Sequence, residues 1–289
     1  MDTIRNPVEW SLDQVRLGAS AFASVGRALG HADQDIFAPA PAVRPIAVAN
    51  LATALRRGFA DFMAYRTDVV FLCVVYPVAG IILASISFKH GMLPLLFPLA
   101  SGFALVGPFA GIGLYELSRR REQAVSVAPW PDAFGVVRAP AFGKIVALGV
   151  VLVAILLLWL VTAQGIYDLT LGPKPPPSAA AFLRDIFTTG AGWTLIVAGC
   201  GAGFLYAVVA LMVGVVSFPL LLDRDVSLGV AVWTSIRAVA VNPLALAAWG
   251  LIVASGLVIG SIPMLLGLVI VMPVLGHATW HLYRMLVPR

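Results

Sequence analysis

Apolar residues run through this chain in long blocks, and the polar ones gather at the breaks between blocks. Six blocks read as membrane spans, at about residues 69–88, 94–115, 145–161, 193–220, 244–261 and 263–283. With 1.5 Å of rise per residue, about 20 helical residues cross a hydrocarbon layer ~30 Å thick. Between the spans the pattern becomes that of amphipathic helices. Residues 7–29 open with Asn6-Pro7 as cap and first helical position, then place Val8, Leu12, Val15, Ala19, Phe22 and Leu29 on one side. A second surface helix is predicted from Leu51 to Arg66, capped by Asn50, with Leu55, Phe59, Phe62 and Met63 facing one way and Arg56, Arg57 and Asp61 the other. A short amphipathic piece covers Trp130 to Ala139. Ser178 caps a brief interfacial helix through Thr188, and Asp225 caps a surface helix reaching Val241. The expectation is an all-α polytopic membrane protein of six transmembrane helices in three hairpins, each preceded by an amphipathic helix on the cytoplasmic side.

Proline and glycine mark the divisions. Residues 38–45 (APAPAVRP) form a proline-rich linker, so residues 1–45 read as an N-terminal helix with its linker and 46–289 as the transmembrane domain. Gly172 to Pro177 (GPKPPP) is an extended outer loop that cannot be helical. Pro98 and Pro108 are ten positions apart, as are Pro263 and Pro273. In that alignment Gly111 matches Gly276, Tyr115 matches Trp280, Leu117 matches Leu282 and Arg119 matches Arg284, the mark of an internal repeat. Gly107/Gly111, Gly199/Gly203 and Gly256/Gly260 have the spacing that lets helices approach closely.

Composition supports lipid as the solvent for most of the surface. Of 289 residues 60% are hydrophobic and 11% charged, against about 25% charged in soluble proteins. The net charge of +5 is dispersed between spans, not gathered into a face, which argues against nucleic acid as a partner. Cys73 and Cys200 lie in apolar runs and act as small hydrophobes. The first thirty residues hold no apolar signal-peptide core, so no cleavage is expected. Lys and Arg fall overwhelmingly on one side of the predicted spans, with only Lys89, Lys174 and Arg184 on the other, which puts both termini in the cytoplasm.

Candidate chemistry is sparse. No predicted span carries a charge at its centre, where one costs about 2.5–3.5 kcal/mol, and this speaks against pumps, ion-coupled transporters and voltage sensors. His277 and His281 stand four apart and could hold a haem or transition metal from one helix face. The residues between them lack the glutamate of a metalloprotease motif, and with Trp280 and Tyr283 they equally suit an interfacial belt meeting headgroups or a loop. Asp223, Arg224 and Asp225 sit at the exit of the fourth span, Asn242 before the fifth, and Arg284 at the end of the sixth. Arg237 falls on the line Val226, Val230, Trp233, Ala240 expected to face inward; either Glu116 pairs with it or it reaches lipid phosphate.

The segments FPLLLDRDVSLGVAVWTSIRAVAVNP, PVLGHATWHLYR and GPFAGIGLYELSRRRE resemble an uncharacterised family of bacterial integral membrane proteins catalogued as domain of unknown function 2189, over roughly residues 44–287. The resemblance implies a bacterial inner-membrane location. Some members are labelled putative cytochrome c oxidase. A catalytic subunit resembling that superfamily needs six histidines within spans, whereas this chain has four in all, so the label reduces to an accessory or assembly role beside a respiratory complex. The reading is a non-enzymatic scaffold or accessory protein with no cofactor, whose partners are the bilayer and other membrane proteins or further copies of itself. The alternatives are a transporter or channel for a neutral or lipid-like molecule, and a haem or metal protein built on His277 and His281.

Overall fold

The computed structural model describes residues 40–73, 92–123 and 139–289, together with 78, 80–82, 85 and 136. The expected N-terminal helix, most of the first span beyond Cys73, and all but the end of the Trp130–Ala139 piece lie outside those residues. Within them the chain is all helical, with no strand. Helix α1 covers Asn50–Cys73, and a 3₁₀ turn over Leu93–Leu95 leads into α2 (Leu96–Ala110) and α3 (Ile112–Gln123). There follow α4 (Phe142–Thr170), α5 (Ala179–Thr188), α6 (Gly190–Gly214), α7 (Ser217–Asp223), α8 (Leu228–Val241), α9 (Pro243–Ser261) and α10 (Leu268–Leu286).

Among the described residues, four helical stretches are long and apolar enough to cross a membrane: 93–123, 142–170, 190–223 and 243–261. They match the second to fifth predicted spans, and α4 is much longer than the predicted 145–161. The sixth block begins later than Pro263, at Leu268, because Ile262 to Gly267 form a turn in which Met264 and Leu265 take φ of 51° and 69°. In that turn a Cβ on Gly267 would lie 2.8 Å from the Gly260 Cα, so only glycines allow the two strands of the hairpin to meet.

Two packed groups share the interior. In one, α2, α4 and α6 pack together around Trp159, whose indole N–H donates to the Pro98 carbonyl and to Ser101 Oγ, each at 3.1 Å. In the other, α1 lies along α10, with α3 beside α10. The short α7 joins the groups; its residues Ser217 to Leu222 are all buried, and the chain bends where α6 gives way to it two residues before Pro219. Outward faces are apolar, with Val161, Val197, Leu244 and Leu251 exposed, as lipid contact requires.

Four local expectations are corrected. Asn50 does not cap α1: it is the first helical residue, and its Oδ1 accepts from the Ala47 N–H behind it at 2.8 Å. The buried face of α1 holds Leu51, Ala54, Asp61, Phe62 and Tyr65, leaving Phe59 and Met63 exposed. Asp225 does not cap α8; Ser227 does, accepting from the Val230 N–H, while Asp225 binds Lys144 Nζ at 2.8 Å. Of the three glycine pairs, only Gly256/Gly260 serves a helix contact at both members, with Val271, Leu275 and Leu268 of α10. Among the described residues nothing lies within 4 Å of a Cβ placed on Gly107 or Gly199.

The α1–α10 contact is a tight approach, since a Cβ on Gly58 would fall 2.5 Å from the Ala278 backbone nitrogen. Gly58→Ala should therefore destabilise the protein by about 1–3 kcal/mol through forced separation of the helices. Gly199→Ala should leave stability unchanged or raise it by under about 1 kcal/mol. Thermal melts of both variants in one detergent check the pair, and equal melting temperatures would refute the contact.

Candidate functional site

The site lies where α1, α3 and α10 meet. Gly58 lets α1 settle against Ala278, and that approach carries Asp61, one turn later, to an exposure of only 5%. An ionised carboxylate so placed needs several donors. Three reach it: Ser118 Oγ donates to Oδ2 at 2.6 Å, His281 Nε2 to the same oxygen at 2.8 Å, and Arg121 Nη1 to Oδ1 at 2.7 Å. The same Arg121 nitrogen also donates to the Ala60 carbonyl at 2.8 Å. Burial pushes the Asp61 carboxyl up, but the hydrogen bonds from His281 and Ser118 and the charge of both imidazoles outweigh it and hold the group below its ordinary value.

Proton counting then fixes His277. Ser118 Oγ lies 2.8 Å from His277 Nδ1. Since Ser118 has one hydroxyl proton and gives it to a carboxylate that only accepts, its oxygen must accept here, and Nδ1 must carry the proton. A neutral His277 then presents a bare lone pair at Nε2. The ring is wholly buried and lies nearly parallel to Tyr65, at 6.1 Å between centroids and 15° between planes. The Leu114 carbonyl lies near the imidazole, yet Nε2 makes no hydrogen bond; it is the one buried side-chain N or O atom among the described residues without a partner. The row Nε2–Nδ1–H to Ser118 to Asp61 is the arrangement that orients an imidazole as an acceptor or ligand.

A second polar layer lies nearer the C-terminus. Asp223 Oδ2 accepts from Tyr283 Oη at 2.7 Å and from Arg284 Nη1 at 3.2 Å, and Arg224 stands 3.8 Å from it. Glu122 accepts from Trp280 Nε1 at 3.1 Å and pairs with Arg284 and Arg289, each at 3.2 Å. Asn242 accepts from the Ile46 N–H at 2.6 Å and donates to the carbonyls of Arg44 and Ala238, both at 3.1 Å. The repeat-matched segments Gly111–Arg119 and Gly276–Arg284 pack side by side here, with Gly276 against Leu114.

Several sequence expectations are settled by this geometry. His277 and His281 do not meet headgroups: one is sealed inside and the other is bound to Asp61. Both reach the Asp61–Ser118 pair, and no group of three metal-ligating side chains is present among the described residues. Glu116 is not the partner of Arg237. It is buried and bound by its own helix, with Arg119 Nε at 2.7 Å and Arg120 Nε at 2.6 Å. Arg237 and Trp233 face outward, because α8 buries Val230, Ala231, Thr234, Ser235 and Ala238, so that of the expected line only Val230 is fully inside. Sequence reasoning overlooked Asp61, Ser118, Arg121 and Glu122. The available signal was Gly58 among Leu51, Ala54, Asp61 and Tyr65, a helical stripe in which a small residue brings a carboxylate inward.

Two measurements test the site. The unfolded Asp61 titrates near about 3.9 and the folded one lower, so its stabilisation is complete above the unfolded value and lost as pH falls through the folded one. Asp61→Asn should flatten that acid limb and remove about 3 kcal/mol at neutral pH, a figure moderated by the partial exposure of Arg121. An unchanged acid limb would count against the assignment. In nitrogen-15 spectra of histidine-labelled protein at neutral pH, His277 should appear as the Nδ1–H tautomer, and an Nε2–H signal would refute the proton count.

Comparison with known proteins adds a family and nothing narrower. No curated protein and no solved structure matches the chain. Residues 96–223, from the start of α2 to the end of α7, match the family model DUF2189, described as a predicted integral membrane protein, and it is this family that the sequence resembles.

Proposed function

We propose that the chain is a non-catalytic accessory or assembly partner of other membrane proteins. In this reading it crosses a bacterial inner membrane six times with both termini in the cytoplasm. The four lipid-length helices support four of the spans, and the other two are those read from the apolar blocks at about 69–88 and 263–283 of the sequence. One observation carries the functional reading: the carboxylates of this region, the buried Asp61 and the more exposed Asp223 and Glu122, are spent on holding helices together. Asp61 ties α1 to α3 and α10, and Asp223 and Glu122 tie the end of α10 to α7 and α3. A transport or catalytic site would keep such groups free to change partners. Here they form a rigid polar clamp, and what remains for other molecules is the outer surface.

A second reading follows from His277 alone. Its oriented, unpartnered Nε2 suits one ligand of a haem or metal bound in common with another chain.

Gentle extraction of the tagged full chain should recover a stoichiometric membrane-protein partner; recovery of the chain alone would overturn the accessory role. The same preparation decides the second reading. A cofactor absorbance or bound metal that His277→Ala abolishes would establish it, and a colourless, metal-free complex would exclude it.

A further inference from the structure

Most cations at the clamp end of the molecule are matched. Arg119, Arg120, Arg121, Arg224, Arg284, Arg289 and Lys144 each pair with a carboxylate. Arg237 and Arg44 differ, as Arg56 and Arg57 of α1 do: all four are exposed, and none of these side chains makes an ion pair or hydrogen bond among the described residues. The backbone brings Arg44 to the end of the helix that carries Arg237. Asn242, five residues after Arg237, binds the Arg44 carbonyl and the Ile46 N–H, which holds Arg44 beside the junction of α8 and α9.

Five residues beyond Arg237 the chain passes at Asn242 into the lipid-length helix α9. Trp233, one turn before Arg237, is 56% exposed. Beyond the junction, Leu244, Leu251 and Val258 of α9 are each about two-thirds exposed or more, and their spacing of seven keeps them on one stripe of a membrane-length helix. The order from α8 into α9 is therefore an interfacial tryptophan, two unneutralised guanidinium groups and a lipid-length apolar track. A phospholipid has the complementary order, a phosphate followed by an acyl chain. An acidic protein segment would match the arginines and leave the track uncovered. Zwitterionic lipid brings its own cation and satisfies the pair less well.

We propose that Arg237, with Arg44 and Trp233, forms a binding site for an anionic phospholipid whose phosphate meets the guanidinium groups and whose acyl chain lies along α9. The site stands whether or not the protein is an accessory subunit.

Native mass spectrometry of the purified full chain, titrated with phosphatidylglycerol and phosphatidylcholine, reads it. Phosphatidylglycerol should be retained about tenfold better, the size of one charge-assisted contact. The preference should fall to near one in Arg237→Gln and persist in Arg184→Gln, whose arginine pairs with Asp185 at another place on the chain. Brominated phosphatidylglycerol in nanodiscs should quench a share of the fluorescence that Trp233→Phe removes. Equal retention of the two lipids by the native chain, an unchanged preference in Arg237→Gln, or quenching indifferent to Trp233 would each overturn the site. So would an acidic protein occupying Arg237 in its place.

Discussion

An ionised carboxylate removed from water must be met by donors from the surrounding protein, and Asp61 imposes that condition on three helices at once. Its donors come from α3, through Ser118 and Arg121, and from α10, through His281. Close packing makes the condition strict, because Gly58 leaves no room for water between α1 and Ala278. The desolvation of such a group is several kcal/mol, so α1 docks favourably only when both other helices are already in register. Shape and charge thus specify the same arrangement: a shift of α10 along α1 would break the helix contact and strand the carboxylate together.

The layers beyond Asp61 extend that logic toward the C-terminus. Trp280, Tyr283 and Arg284 look, in a linear reading, like an interfacial belt. In the folded chain they are wholly or largely buried, and each reaches a carboxylate of another element. The belt is the inner half of a clamp. His277 completes the clamp on one side and leaves it open on the other, since Nδ1 is used and Nε2 is not.

This changes the meaning of charge in the chain. The absence of ionisable residues from the middle of the predicted spans argues against an ion path, and the interior nevertheless contains Asp61 and Glu116. They enter from helix segments flanking the apolar blocks, so hydropathy along the chain does not register them. A carboxylate bound by fixed donors stabilises a bundle, whereas a carboxylate that exchanges partners moves ions. The hydrogen bonds distinguish the two roles where composition is silent.

Apolar blocks, helix punctuation and the lipid setting could be read from residue order because each rests on local chemistry. Twenty uncharged residues define a span, and Ser178 or Gly172-Pro173 acts on neighbouring backbone. Even the short helix after Ser178 appears where its cap puts it, with the Ala181 N–H donating to the serine. What could not be read was any pairing across the chain. Asp61 and His281 are separated by 220 positions, and Ser118 and His277 by 159. A helix face also turns by 100° per residue, so a small error of register exchanges inside for outside, as it did for Phe59 and Trp233. Sequence alone determined that this protein lives in lipid and roughly where it crosses. Only the packing of α1, α3 and α10 decided which polar residues go inside, because a buried charge is tolerated by virtue of its partners, and partners exist only in three dimensions.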